Sequence, residues 1–119
     1  MAGNMMHKVK KVTIAASAKV SAGFTIEPWA IFYGALFPAM DDGAVGLELT
    51  IDGGTSWNPV LDPIDGGDAV LCASGSDPGW IDFSDWVRFM GDNDNYQARF
   101  VSATTQSSGA VVINVMMRG

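Results

Sequence analysis

The 119-residue sequence is poor in the side chains that most enzymes use for catalysis. It has one histidine, His7, in a start that we expect to be loose, so neither a Ser-His-Asp nor a Cys-His arrangement is expected. With one cysteine, Cys72, it has no Cys/His set for zinc and no internal disulfide. No glycine-rich phosphate loop precedes a helical pattern. The sequence therefore predicts a protein that is not an enzyme and uses no cofactor, with Cys72 as a buried thiol.

Charged residues are also scarce, at 17%, and their two signs are separated along the chain. The 13 acidic residues all follow residue 26, and the net charge is −6. An acidic body repels the phosphate backbone of nucleic acid, so we expect no nucleic-acid partner. All four lysines lie near the start, at Lys8, Lys10, Lys11 and Lys19.

Long hydrophobic runs are absent as well. No apolar run reaches the roughly 18 residues that a membrane-spanning helix needs, and no hydrophobic segment follows the basic start. We therefore expect neither a membrane span nor a signal peptide. Helical periodicity is missing outside the ambiguous segment 80–90. The 14 glycines and the 48% hydrophobic content are typical of a turn-rich β protein.

The strongest pattern present is at residues 44–57, AVGLELTIDGGTSW. Val45, Leu47, Leu49 and Ile51 alternate with other residues, which predicts a strand with one buried face. The strand leads into a glycine turn, after which Trp57 is predicted to return to the core. Shorter alternating or apolar segments predict strands at 8–14, 16–26, 29–35, 69–73, 97–102 and 111–117.

Eight or nine short strands separated by Gly, Asp and Pro predict one all-β domain, a single antiparallel β-sandwich (jelly-roll-like) with little helix. We expect residues 1–14 to form a basic N-terminal arm or an edge strand, with Val12 and Ile14 on one side and the lysines on the other. Residues 15–119 then form the sandwich domain.

Segment 27–40 is apolar on both of its faces. A strand of this kind is either buried on both sides or exposes an apolar patch. Phe32, Leu36 and Phe37 are therefore candidates for a contact surface, with the alternative that they belong to the core.

Acid-rich turns raise the alternative of a structural calcium ion. Asp62, Asp65 and Asp68 are three residues apart, and Asp92 and Asp94 are two apart. Calcium needs six to eight oxygen ligands, and no EF-hand glutamate closes either loop. Because Asp also favours turns for its own backbone hydrogen bonds, we predict no metal site here.

Residues 50–57, TIDGGTSW, resemble the Asp box of sialidase-type propellers, [Ser/Thr]-x-Asp-x-Gly-x-[Ser/Thr]-Trp. A propeller repeats this unit, whereas this chain has one copy, so the propeller fold is not expected. The resemblance implies a structural hairpin without a catalytic role. In it Asp52 bonds the turn backbone, Gly53 and Gly54 form the turn, and Trp57 packs beneath.

A second resemblance is carried by GALFPAMDDGAVGLELTIDGGTSWNPVLD in the middle and ARFVSATTQSSGAVVINVMMRG at the end. These stretches are similar to small virion proteins of tailed bacteriophages. The matching positions near the end are Arg99, Phe100, Val101, Ser102, Gln106 and Arg118. The resemblance implies a virion protein, either a capsid decoration or cement subunit or a neck or tail component.

Such a protein would contact the major capsid protein or other virion proteins, and copies of itself in a homo-oligomer. The residues expected to bind these partners are Lys8, Lys10, Lys11, Lys19, Phe32, Leu36 and Phe37. The alternative is a carbohydrate-binding module for host glycans. Its stacking platforms would be Trp29, Trp57, Trp80 and Trp86.

Overall fold

The computed structural model describes residues 6–40, 43–62, 64–73, 75, 77–84, 87 and 95–119. Within these residues the chain forms seven strands and no helix. The strands are β1 (His7–Ile14), β2 (Phe32–Phe37), β3 (Val45–Thr50), β4 (Asn58–Pro59), β5 (Gly79–Asp82), β6 (Gln97–Ser102) and β7 (Val111–Arg118). They form a four-stranded sheet, β1-β7-β2-β5, and a three-stranded sheet, β4-β3-β6.

Every strand pair is antiparallel, so the predicted all-β sandwich with little helix is confirmed. Segment 80–90, whose pattern fits either a strand or a short helix, begins as strand β5, and Trp80 and Ile81 lie in that strand. The rest of that segment falls largely on residues 85–86 and 88–90, which lie outside the described residues, as do Asp92 and Asp94.

The core lies between the two sheets and centres on Phe100 of β6. Its ring is 5.2 Å from that of Phe24, 5.6 Å from that of Phe37 and 6.4 Å from that of Phe83, measured between centroids. The four-stranded sheet supplies the facing layer through alternate residues of each strand. The inward residues of β7, for example, are Ile113, Val115 and Met117.

Strand β1 is an edge strand, and it pairs with β7 along its whole length. The predicted division of its faces is wrong, because Lys8 and Lys10 share the side of Val12 and Ile14. The two lysines lie beyond the core, near the start of β1. There Glu27 Oε1 is 2.8 Å from Lys8 Nζ and 3.2 Å from Lys10 Nζ. Lys10 also donates a hydrogen bond to the Thr25 carbonyl at 2.7 Å. Thus the N-terminal part of β1 is bonded to Thr25 and Glu27 as well as to β7.

Segment 16–26 is not the continuous strand predicted from its small and β-branched residues. It crosses the side of the sandwich and makes single bridges to both sheets, pairing Ser21 with Ile14 and Phe24 with Ala98. The Ser21 amide donates to the Phe100 carbonyl at 3.0 Å. Because the segment changes partner sheet, no one ladder can extend along it.

Segment 69–73 is likewise bridged rather than paired as a regular strand. The Val45 amide donates to the Cys72 carbonyl at 2.8 Å, and the Leu71 amide donates to the Val45 carbonyl at 2.8 Å. Cys72 is buried, as predicted.

The ion pairs at Glu27 predict a pH-dependent contribution to stability. Hydrogen bonds from Lys8 and then Lys10 hold the pKa of Glu27 below its ordinary value of 4.5. The stabilisation is therefore present above that ordinary value and is lost as the pH falls through the lower pKa of the folded state. We expect Glu27→Gln to lower the urea midpoint at neutral pH and to match the wild type below the folded-state pKa. An equal difference at both pH values would contradict the assignment.

Candidate interaction surface

The Asp-box hairpin joins β3 to β4 and is stabilised by its own side chains. Thr50 Oγ1 accepts a hydrogen bond from the Gly54 amide at 2.9 Å and donates to Asp52 Oδ1 at 2.7 Å. Asp52 Oδ1 also accepts from the Ser56 amide at 2.9 Å. Gly53 and Gly54 have φ values of 74° and 99°, a region that favours glycine. The turn bonding that the resemblance implied for Asp52 is therefore present.

These hydrogen bonds lower the pKa of Asp52, the Ser56 amide contributing first and the Thr50 hydroxyl second. A carboxylate kept ionised in this way, with its oxygen bonded to turn donors, is suited to a structural role.

The alternation of buried and exposed residues predicted for β3 ends one residue early. Thr50 is buried and bonds the turn, whereas Ile51 is 73% exposed because β3 ends before it.

Trp57 packs beneath the turn but does not reach the core, so that part of the prediction is wrong. It is half-buried, with the Arg99 guanidinium carbon 4.4 Å from the ring centroid. Arg99 also pairs with Glu48 across β3 and β6, its Nη2 lying 2.6 Å from Oε1. Because Arg99 lies on the side of β6 opposite the buried Ala98 and Phe100, Trp57 covers the outer face of the small sheet rather than its inner face.

The predicted partner-binding residues separate into different places. Phe37 is 2% exposed and contacts Phe100, so its assignment to a surface is wrong. Lys8 and Lys10 are paired with Glu27 within the chain. Lys19 is exposed beside the end of β6, where its carbonyl accepts the Ser102 amide.

The remaining predicted residues lie on one surface, the outer face of the four-stranded sheet. Phe32 is 56% exposed and Leu36 is 43% exposed on β2. Lys11 is exposed on β1 and belongs to the side opposite Val12 and Ile14. The structure therefore brings Lys11, Phe32 and Leu36 to the same face of the protein.

Four further exposed apolar residues extend this surface, hereafter called the outer face. They are Val9, Trp80, Val112 and Met116. The strand registers align them in rows across the sheet. One row runs Lys11, Asn114, Leu36 and Trp80, and the next runs Val9, Met116, Gly34 and Asp82.

A shallow groove lies on the outer face beside the Trp80 ring, which covers Gly34. A side chain at this position would collide with the Trp80 indole, so the absence of a Cβ allows the ring to lie across the strand. The groove is lined by His7, Phe32, Tyr33, Trp80, Asp82, Met116, Met117 and Arg118.

Sequence reasoning missed most of the outer face because the order of the strands was needed to find it. One signal was available in β7, where VVINVMM places apolar residues on both faces. Met116 lies opposite Gly34 of β2 and Val9 of β1, which are far from it in the sequence. Only the pairing shows that these residues are neighbours.

The acid-rich loop at 62–68 forms turns. Asp62 Oδ1 accepts the Ile64 amide at 2.8 Å, and Asp65 Oδ1 accepts the Gly67 amide at 2.8 Å. In the part of the chain that the structure describes, no cluster of three or more His, Cys, Asp or Glu side chains is arranged to hold a metal ion. The same residues include no helix with the length and apolarity to cross a membrane.

The fold and the surface together define a small antiparallel β-sandwich with an apolar outer sheet face. The sequence matches no protein-family model and has no match among curated proteins. The features that bear on function are therefore this face and the resemblance carried by the two sequence stretches.

Proposed function

We propose that this chain is a non-enzymatic structural protein of a tailed-bacteriophage virion. Within this class, the proposed role is that of a capsid decoration or cement subunit, which stabilises the particle through protein–protein contacts. Its partners are the major capsid protein or other virion proteins, together with copies of itself. The virion is accordingly its proposed location.

The observation that carries the proposal is the outer face. Phe32, Leu36, Trp80 and Met116 are each at least 43% exposed, and they lie on adjacent strands. Contiguous apolar patches of this kind on small proteins commonly mark interaction sites. A flat sheet face suits another protein surface, because two sheets pack face to face about 10 Å apart.

The proposed contact uses the outer face rather than a free basic arm that reaches onto a neighbour. Lys8 and Lys10 are bonded to Glu27 and Thr25, so the charge of β1 that faces this surface comes from Lys11. Exposed ion pairs contribute about 0–1 kcal/mol each. The apolar residues must therefore supply most of the contact energy, at roughly 25 cal/mol per Å² before the costs of association.

Glycan binding is the alternative, and the groove is the observation that favours it. Trp80 is half exposed and shares the groove with Phe32 and Asp82, which could stack on and hydrogen-bond a sugar. Trp29 and Trp57 are half-buried and on other parts of the surface, and Trp86 lies outside the described residues. A series of aromatic platforms is thus not formed by the described tryptophans.

The test is incorporation into particles of a phage whose genome encodes the chain. Leu36→Lys places a charge in the middle of the outer face and is expected to reduce the copies per particle at least tenfold, measured by quantitative mass spectrometry. Leu61→Lys is the matched control, because Leu61 is 52% exposed away from this sheet. It should be incorporated like the wild type, and loss of the protein should lower the thermal stability of the particle.

Both variants must first show the wild-type unfolding midpoint. Absence of the wild-type protein from purified particles would refute the virion proposal. Equal incorporation of the two variants would refute the role of the outer face. Binding of a glycan array by the wild type, lost in Trp80→Ala and without any particle association, would favour the carbohydrate-binding alternative.

A further inference from the structure

We infer that the outer face binds a second copy of this chain, with the two faces related by a two-fold axis that runs parallel to the strands between β7 and β2. This inference rests on the proposed function, since it names the partner of the same surface. A two-fold axis in the plane of contact places the same patch on both sides of an interface. It also places β1 of one copy over β5 of the other, and β7 over β2.

Two charges at the edges of the outer face are placed as this arrangement requires. The β1 edge carries the exposed Lys11, and the β5 edge carries the exposed Asp82. Because the axis exchanges the two edges, each Lys11 is brought to the edge that bears Asp82 of the other copy. The contact occurs twice in the dimer. Such complementarity favours one orientation over the reverse, in which β1 would lie over β1 and Lys11 near Lys11.

The axis also determines which side chains of the two copies face each other. A rotation about this axis leaves the position of each residue along the strand direction unchanged. Each row of one copy therefore lies over the same row of the other copy, with the strands in reverse order. Met116 lies opposite Gly34, which the Trp80 ring covers, so the thioether of one copy can contact the indole of the other.

The size of the face indicates a dimer of modest affinity. Strands about 4.8 Å apart that rise about 3.3 Å per residue give four strands of five residues a footprint of roughly 19 by 17 Å. A stable interface buries about 800 Å² of accessible surface on each partner. This footprint, roughly 320 Å² on each copy, is less than half of that area, so the outer face by itself supports only a weak, reversible contact. We expect reversible dimers at micromolar concentrations, strengthened in a particle by neighbouring contacts.

The experiment is analytical ultracentrifugation of the full chain from low to high micromolar concentration. The wild type should show a monomer–dimer equilibrium. Lys11→Glu replaces two attractions with two repulsions, and we expect it to raise the Kd on the order of tenfold. Adding Asp82→Asn should return part of the affinity, because it removes the repulsion without restoring the attraction. Asn keeps an oxygen for the Ser84 amide, which Asp82 Oδ1 accepts at 2.8 Å.

Lys19→Glu is the matched control, with the same change of charge at an exposed lysine away from the outer face. It should dimerise like the wild type. A wild type that stays monomeric, a Lys11→Glu variant with unchanged Kd, or a failure of Asp82→Asn to restore affinity would each overturn the dimer. If the wild type is monomeric and Leu36→Lys is still lost from particles, the dimer is refuted while the virion function stands.

Discussion

Removal of residues 1–14 is expected to unfold the protein rather than to produce a folded domain without its basic arm. The deletion removes β1, which pairs with β7 over eight residues. It also removes Val12 and Ile14, which are 5% and 0% exposed and belong to the core. Burying an aliphatic side chain of this size contributes about 1.5–3 kcal/mol. The two side chains alone thus account for about 3–6 kcal/mol.

The loss is larger than this because β7 becomes the edge of the sheet. Its inner residues Ile113, Val115 and Met117 lose the neighbouring side chains of β1. Its backbone loses one ladder of hydrogen bonds. The total stability of a small domain is about 5–15 kcal/mol. We therefore expect the truncated chain to show no cooperative urea transition, as measured by tryptophan fluorescence.

A chain lacking only residues 1–6 is the control, since it keeps all of β1. It should unfold with nearly the wild-type midpoint. If the longer deletion instead unfolds cooperatively at that midpoint, β1 is not an integral strand. The first residues would then be able to act as a separate arm.

The elements that could be predicted from the sequence are those whose signal is local. A period of two identified most of β3, β6 and β7, because each strand has one face on the core. The Asp-box hairpin was predictable for the same reason. The hydrogen bonds of Thr50 and Asp52 all fall within residues 50–56.

The errors concern residues whose environment is set by distant partners. Phe37 and Leu36 are adjacent, and only the packing of Phe100 on one side of β2 decides which of them is buried. Lys8 and Lys10 are a different case, because a period of two already places them on the side of Val12 and Ile14. Only their partners, Thr25 and Glu27, are distant in the sequence. Segment 16–26 has suitable strand residues and no single sheet edge to pair with.

The outer face could be predicted only in part for the same reason. Phe32 and Leu36 were identified from a segment that is apolar on both sides. Trp80 and Met116 join them through the pairing of β2 with β5 and β7. The surface is a property of the strand order, which the sequence pattern does not specify.

The second large effect is expected for Phe100→Ala. Phe100 has no exposed surface and contacts the rings of Phe24, Phe37 and Phe83. It therefore connects the two sheets with each other and with segment 16–26. Truncating a buried phenylalanine costs about 3–5 kcal/mol, because the lost burial adds to the cavity left behind. For a domain of this size the Tm should fall by about 10–20 °C.

Phe32→Ala is the matched control, since it removes the same ring from a position that is 56% exposed. Measured by calorimetry at a low protein concentration, where self-association is negligible, its cost should be below about 1 kcal/mol. The ratio of the two effects tests which face of each strand lies against the core. If the two variants lost equal stability, the placement of Phe100 at the centre of the sandwich and of Phe32 on its outer face would be wrong, and the proposed interaction surface with it.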